Sequence, residues 1–205
     1  MWPGTAIITA RPEVALIDPF PFPALPHGKV PILGFAAVSG TGKTTLLCRL
    51  IPILRSRGLN LGLIKHAHHE FDLDQPGKDS FELRKAGASR VLITSSKRRA
   101  MVTDHPYPLE PRLDQELRYL DQEGLDLVLV EGFKTERYPK FELHRAALAT
   151  PFQYPEDTSI LALITDAAPP KDLSIPCLNI NDPAGIADFI MKRFLPEAQR
   201  ALRLR

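Results

Sequence analysis

An unbroken apolar run, PILGFAAV (31–38), passes directly into SGTGKTT (39–45), and this junction restricts the fold more than any other stretch of the 205-residue chain. A continuous apolar run suits a strand buried on both faces, as in a parallel sheet. After the junction, Leu46, Leu47, Leu50, Ile51 and Leu54 fall on one side of a helix from about Lys43 to Arg57, with Gly58 as its stop and a bend expected at Pro52. Strand, glycine loop and helix in that order are the setting of a phosphate-binding loop, and AVSGTGKT fits its pattern at Gly42, Lys43 and Thr44. Ala37 stands where the leading glycine usually is, so Gly40 and Gly42 supply the tight backbone path. Glycines are needed because successive N–H groups must turn inward around a phosphate and side chains would block its approach. The helix adds its positive end, Lys43 reaches the β- and γ-phosphates, and the Thr44 hydroxyl ligates Mg²⁺.

Such a loop requires an acidic group near the metal, at the end of an apolar strand. LDLVLVEGF supplies it: Glu131 closes the run, whereas Asp126 precedes the run and emerges at the opposite end. Lys43 and Glu131 are thus the expected catalytic pair, Thr44 and Glu131 the expected metal ligands, and Gly132 leaves the backbone free to approach the γ-phosphate. A second strand, LNLGLIKH (59–66), brings Lys65 and His66 to the same sheet edge, where ligands of open α/β sheets collect. His68, His69, Asp72, Asp74 and Asp79 follow on a polar stretch, which reads as a switch segment closing over nucleotide and Mg²⁺ rather than as a transition-metal site; solvation and helix capping explain the aspartates equally well. Arg84, Lys85, Lys97, Arg98, Arg99, Lys134 and Arg137 read first as a solvated surface and second as a receiver for another anion.

The remaining periodicities give a helix over KDSFELRKAG (78–87), short strands RVLITS and RAMVT around a basic turn, a helix over 110–123, strands SILALIT (159–165) and PCLNI (176–180), and a last helix with Ile186, Phe189, Ile190 and Phe194 on one side. Buried strands alternating with amphipathic helices indicate an α/β fold: a three-layer P-loop NTPase domain with a mostly parallel sheet. Seven of the 20 prolines lie in the first 31 residues, which excludes a central strand or a long helix there. Residues 1–29 therefore read as a proline-rich arm, either a disordered tether or an over-extended reading frame with the true start at Val30, and 30–205 as the nucleotide-binding domain. With 26 Lys and Arg against 24 Asp and Glu the chain is no dedicated nucleic-acid binder, and no apolar run reaches the length of a membrane span. Cys48 and Cys177 have no zinc spacing and read as small buried residues of a cytoplasmic protein.

AVSGTGKTTLL, LIKHAHH, DQPGKDSFELRKAGA, LDLVLVEGFK and NINDPAGIADFI together resemble the MobB family of molybdopterin-guanine dinucleotide biosynthesis adaptors, from about Val30 to Phe194. The resemblance implies a GTP-binding protein with weak GTPase activity, a homodimer, that assists a MobA-type guanylyltransferase in attaching GMP to molybdopterin and works near molybdopterin-bearing proteins. Carried onto this chain, Ser39, Gly40, Thr41, Gly42, Lys43, Thr44 and Thr45 hold the phosphates; Glu131, Gly132 and Phe133 face the γ-phosphate and metal; Lys65, His66 and Asp79 belong to the family's characteristic segment. GTP itself enters through the resemblance. The residues alone specify a purine nucleoside triphosphate, with Thr165 and Asp166, or Asn179 to Asp182, able to place a carboxylate against the base. Two other classes share the loop: a small-molecule kinase with Arg84, Arg98 and Arg99 as its lid, and a metallochaperone GTPase, which needs a metal-handling cysteine or histidine tract.

Overall fold

The computed structural model describes residues 25–67 and 71–204. In chain order its elements are β1 (Ile32–Ala36), α1 (Lys43–Ser56), β2 (Leu61–Lys65), α2 (Asp79–Lys85), β3 (Arg90–Thr94), β4 (Arg99–Thr103), α3 (Leu113–Glu116), β5 (Leu127–Glu131), β6 (Lys140–His144), β7 (Ile160–Thr165), β8 (Cys177–Asn179), α4 (Pro183–Phe189) and α5 (Leu195–Arg203). The described residues of Met1–His66 with Arg112–Arg205 form one compact unit, and those of Ala67–Pro111 another.

The first unit is built on six strands in the order β2-β5-β1-β6-β7-β8, each neighbouring pair parallel. Side chains alternate across it. Leu33 and Phe35 of β1, Leu127 and Leu129 of β5, Phe141 and Leu143 of β6 and Ile164 of β7 join the buried stripes of α1, α4 and α5 in the main core. Ile32, Val128 and Val130 point the other way, against Leu113, Leu117, Phe133 and Tyr138, while Ile160, Leu163 and Cys177 pack with Leu173 and Ile175. Helix α1 keeps Pro52 within it, on its exposed side. Burying Leu46, Leu47, Leu50 and Leu54, at roughly 2 kcal/mol each, outweighs the ~3 kcal/mol an interior proline costs. Gly58 follows in the left-handed conformation expected of a helix stop. Between α4 and α5 a π-helical stretch, Ile190–Phe194, precedes Pro196. Its wide turn accommodates a residue that has no N–H for the preceding turn, while Ile190, Phe194 and Leu195 stay in the core.

Three expectations are corrected. Periodicity announces no strand between 132 and 158, yet β6 lies beside β1 and is buried along its whole length. Its sequence, KFELH, reads as half-exposed because Lys140, Glu142 and His144 share one face. Each is satisfied inside: Lys140 Nζ donates to the carbonyls of Lys134 and Glu136 at 2.8 and 2.9 Å and pairs with Asp157 at 2.7 Å. Glu142 accepts from the backbone N–H groups of Gln153 and Tyr154, both at 2.8 Å, and His144 Nε2 donates to the Thr150 carbonyl at 3.0 Å. Secondly, the helix expected over 110–123 is only α3, Leu113–Glu116. The Gln122 side chain reaches back to the Leu117 carbonyl at 2.9 Å and also takes the His27 carbonyl and the Lys29 N–H, so the segment beyond α3 ties down residues 27–29 instead of extending the helix. Leu25 packs on the same cluster. Thirdly, Cys177 is buried but Cys48 is exposed, because position 48 lies off the leucine stripe of α1.

The second unit carries the antiparallel pair β3 and β4, registered Arg90↔Thr103 to Thr94↔Arg99, and α2. Arg84 grips Asp72 with two bonds of 2.7 Å and reaches Asp104 at 3.4 Å. No residue of α2 is buried, and Leu83, Leu92 and Met101 are exposed. Among the described residues no helix is long and apolar enough to cross a membrane.

Candidate functional site

The loop between β1 and α1 leaves the sheet at its carboxyl edge, where strand order reverses about β1 and ligands of such sheets bind. Gly40 and Gly42 take φ of 80° and 91°, values only glycine adopts without strain, and a side chain on Gly40 would meet nothing within 4 Å. Gly42 is also the N-cap of α1 and offers no side chain to the first-turn N–H groups; no acidic residue lies in that turn. Those donors and the helix dipole therefore remain available to an anion. Thr41 between the glycines is buried, its hydroxyl donating to the Val38 carbonyl at 2.8 Å, whereas Ser39, Thr44 and Thr45 are exposed.

Lys43 opens α1, half-buried. Burial pushes its ammonium below the usual lysine pKa; Glu131 opposes the shift, and Lys134 and Lys65 add to it. A polyphosphate relieves this crowding of positive charge, which is an electrostatic reason for the site to take one.

Glu131 ends β5 in register with Phe35 of β1 and Lys65 of β2, so the acid stands at the carboxyl edge beside the loop. Lys65 Nζ lies 3.5 Å from Glu131 Oε2. Asp126 sits at the other end of the strand, accepting from the Asn60 N–H at 2.7 Å. After Glu131 the chain turns sharply. Gly132 has φ 101°, and a Cβ there would stand 2.6 Å from His66 Cβ; Phe133, a bulky residue at φ 51°, is held in that strained conformation by burial and by the His66 ring, 4.9 Å between centroids. Tyr138 fixes the turn by donating to the Gly132 carbonyl at 2.9 Å. The expected residues of the first unit thus converge on one sheet edge. Asp79 belongs to the second unit, where it begins α2, and His68 and His69 lie outside the described residues. Among the described residues no group of three His, Cys, Asp or Glu side chains could hold a metal ion. Thr44 and Glu131 remain the oxygen donors suited to a hard cation shared with phosphate.

The groups considered for reading the base all have internal partners. Asp166 accepts from the Ala146 N–H at 2.9 Å and from Arg145 at 3.0 Å, Thr165 is buried, Asn179 accepts from the Asn181 N–H at 2.9 Å, and Asp182 caps α4 by accepting from the Gly185 N–H at 2.9 Å. Arg145 escapes the sequence reading altogether. Its only local signal is a basic residue at the end of β6, and that strand is itself concealed.

Comparison with known proteins finds one family along most of the chain. The family model MobB, described as Molybdopterin guanine dinucleotide synthesis protein B, matches residues 32–166. The chain is 47% identical over 164 residues to the molybdopterin-guanine dinucleotide biosynthesis adapter protein of Escherichia coli (strain K12), covering 80% of this chain and 93% of that protein. It is 42% identical to the adapter protein of Haemophilus influenzae, covering 80% and 89%. A crystal structure of molybdopterin-guanine biosynthesis protein B superposes with a TM-score of 0.60 at 25% identity, covering 78% of this chain and 98% of that one. The MobB homologue from Bacillus stearothermophilus, with a TM-score of 0.54 at 23% identity over 85% of this chain and 99% of that one, shares the fold.

Proposed function

Since the chain belongs to the MobB family, we propose that it is a GTP-binding adapter of molybdopterin-guanine dinucleotide biosynthesis that hydrolyses its nucleotide weakly with Mg²⁺. The observation that carries the nucleotide site is the arrangement at one sheet edge: the uncapped N-terminus of α1 behind two left-handed glycines in the loop after β1, and Glu131 at the end of the adjacent parallel strand β5, in register with Phe35. Ser39 to Thr45 hold the phosphates, Lys43 neutralises the terminal ones, and Thr44 and Glu131 hold Mg²⁺, which supplies charge neutralisation at the transferring phosphoryl group. Lys65, His66, Gly132 and Phe133 shape the γ-phosphate end. The partner is a MobA-type guanylyltransferase acting near molybdopterin-bearing proteins, in the cytoplasm.

A homodimer suits the second unit. A lone two-stranded ribbon is marginal in water, and this one exposes Leu92 and Met101 with Leu83 of α2. A kinase lid is less well served, since Arg84 is committed to Asp72 and Asp104. Calorimetric titration of GTP and ATP with Mg²⁺ tests the proposal: GTP binds at least tenfold more tightly, Lys43→Ala abolishes binding, and Glu131→Ala retains binding while losing Mg²⁺-dependent turnover. Equal affinity for ATP removes the guanine assignment, and unchanged binding by Lys43→Ala removes the site.

A further inference from the structure

We propose that Arg145 is a positioning residue of the phosphate loop, a brace that keeps the Gly42 N–H aimed at the ligand without itself contacting the nucleotide; this rests on the loop being a nucleotide site. Arg145 directly follows β6, the neighbour of β1 on the side away from Glu131. Its Nε donates to the Thr41 carbonyl at 3.3 Å, while Nη1 donates to Asp166 Oδ2 at 3.0 Å and lies 3.5 Å from Asn181 Oδ1. One guanidinium therefore ties the loop to the segments that follow β7 and β8.

The consequence comes from peptide geometry. The Thr41 carbonyl and the Gly42 N–H belong to one planar trans unit and point in opposite directions. Holding the carbonyl outward holds the N–H inward. The restraint is needed because that peptide hinges on the φ of Gly42, which has no Cβ to limit its rotation, and the one atom that a Cβ there would meet within 4 Å is Arg145 Nη2, at 3.8 Å. Within the loop, the Thr41 hydroxyl bond to Val38 fixes the side chain and not the following peptide. The fork geometry of arginine suits this role: it meets the carbonyl, carboxylate and amide oxygens at once, and Asp166, itself held by the Ala146 N–H, fixes its orientation.

The test titrates Mg²⁺-tripolyphosphate, Mg²⁺-GTP and Mg²⁺-ATP into the wild-type protein and Arg145→Met. All three affinities fall by the same factor, about tenfold, the loss expected for a hydrogen bond from a charged group. In hydrolysis KM rises while kcat stays within twofold, whereas a misfolded fraction lowers kcat and leaves KM alone. Asp166→Asn, which frees the guanidinium without deleting it, shifts all three ligands in the same direction by less, and the double variant binds no more weakly than Arg145→Met; Asp166→Asn alone decides if Arg145→Met does not fold. Unchanged affinities in Arg145→Met, or a loss confined to GTP, overturn the proposal. A wild-type protein that binds none of the three overturns the nucleotide site with it, so the two failures are told apart.

Discussion

Gly132 shows how much of the site rests on single backbone positions. Its φ of 101° and the 2.6 Å approach of a Cβ to His66 make Gly132→Ala costly twice over, by about 2–3 kcal/mol, whereas Gly40→Ala, at φ 80° with open space around it, costs only about 1 kcal/mol. Thermal denaturation of the two variants checks the order. Nucleotide affinity is expected to rank them the other way, because Gly40 lies on the proposed phosphate path and Gly132 beside it. Lys43, Glu131 and Gly132 are legible in the sequence because each sits in a contiguous motif whose chemistry dictates the residue type. Phe133 is legible only as a neighbour; its strained φ follows from tertiary burial that no local pattern encodes.

Among the elements, β6 is the instructive one. Its polar face is buried because the loop after Glu131 and the segment preceding β7 supply partners, and Lys140 is the keystone, with its three donors taken by Lys134, Glu136 and Asp157. Lys140→Met leaves a carboxylate and two carbonyls without their cation, and a loss of about 3 kcal/mol is expected, tempered by the partial exposure of Asp157. Burial alone would raise the Asp157 carboxyl, yet the bonds from Lys140 and Ser159 hold it below its usual range. A depressed folded value stabilises the fold above the unfolded carboxyl pKa of about 4 and loses that contribution as pH falls through the folded value. Glu142 has the opposite sign. Burial raises it in spite of its two N–H donors, so its protonation in acid relieves a cost. Asp157→Asn separates the two: its melting temperature declines less steeply below pH 4 than that of the wild type. The helix stops at Gly58 and Gly87 and the buried stripe of α1 follow directly from the sequence, since helix periodicity and left-handed glycines are local properties.

On the scale of the whole molecule, the second unit presents apolar side chains that its own ribbon and short helix do not cover. If it mediates the proposed homodimer, Leu92→Glu with Met101→Lys converts the protein to a monomer in sedimentation equilibrium while leaving the first unit's melting temperature within a few degrees; a wild-type protein that sediments as a monomer refutes the dimer. The sequence by itself determined the strand, glycine loop and helix of the proposed phosphate site, the acid at the end of β5, the alternation that makes a parallel α/β sheet, and membership of the MobB family. Steric rules and hydrophobic periods act over a few residues and are written contiguously. Only the tertiary structure decided that β6 stands beside β1, that Lys140 is saturated at the sheet face, and that Arg145 reaches the Thr41 carbonyl across 104 residues of chain. The reason is physical: a polar side chain is buried without penalty only where partners distant in sequence meet every donor and acceptor, and folding alone brings those partners together.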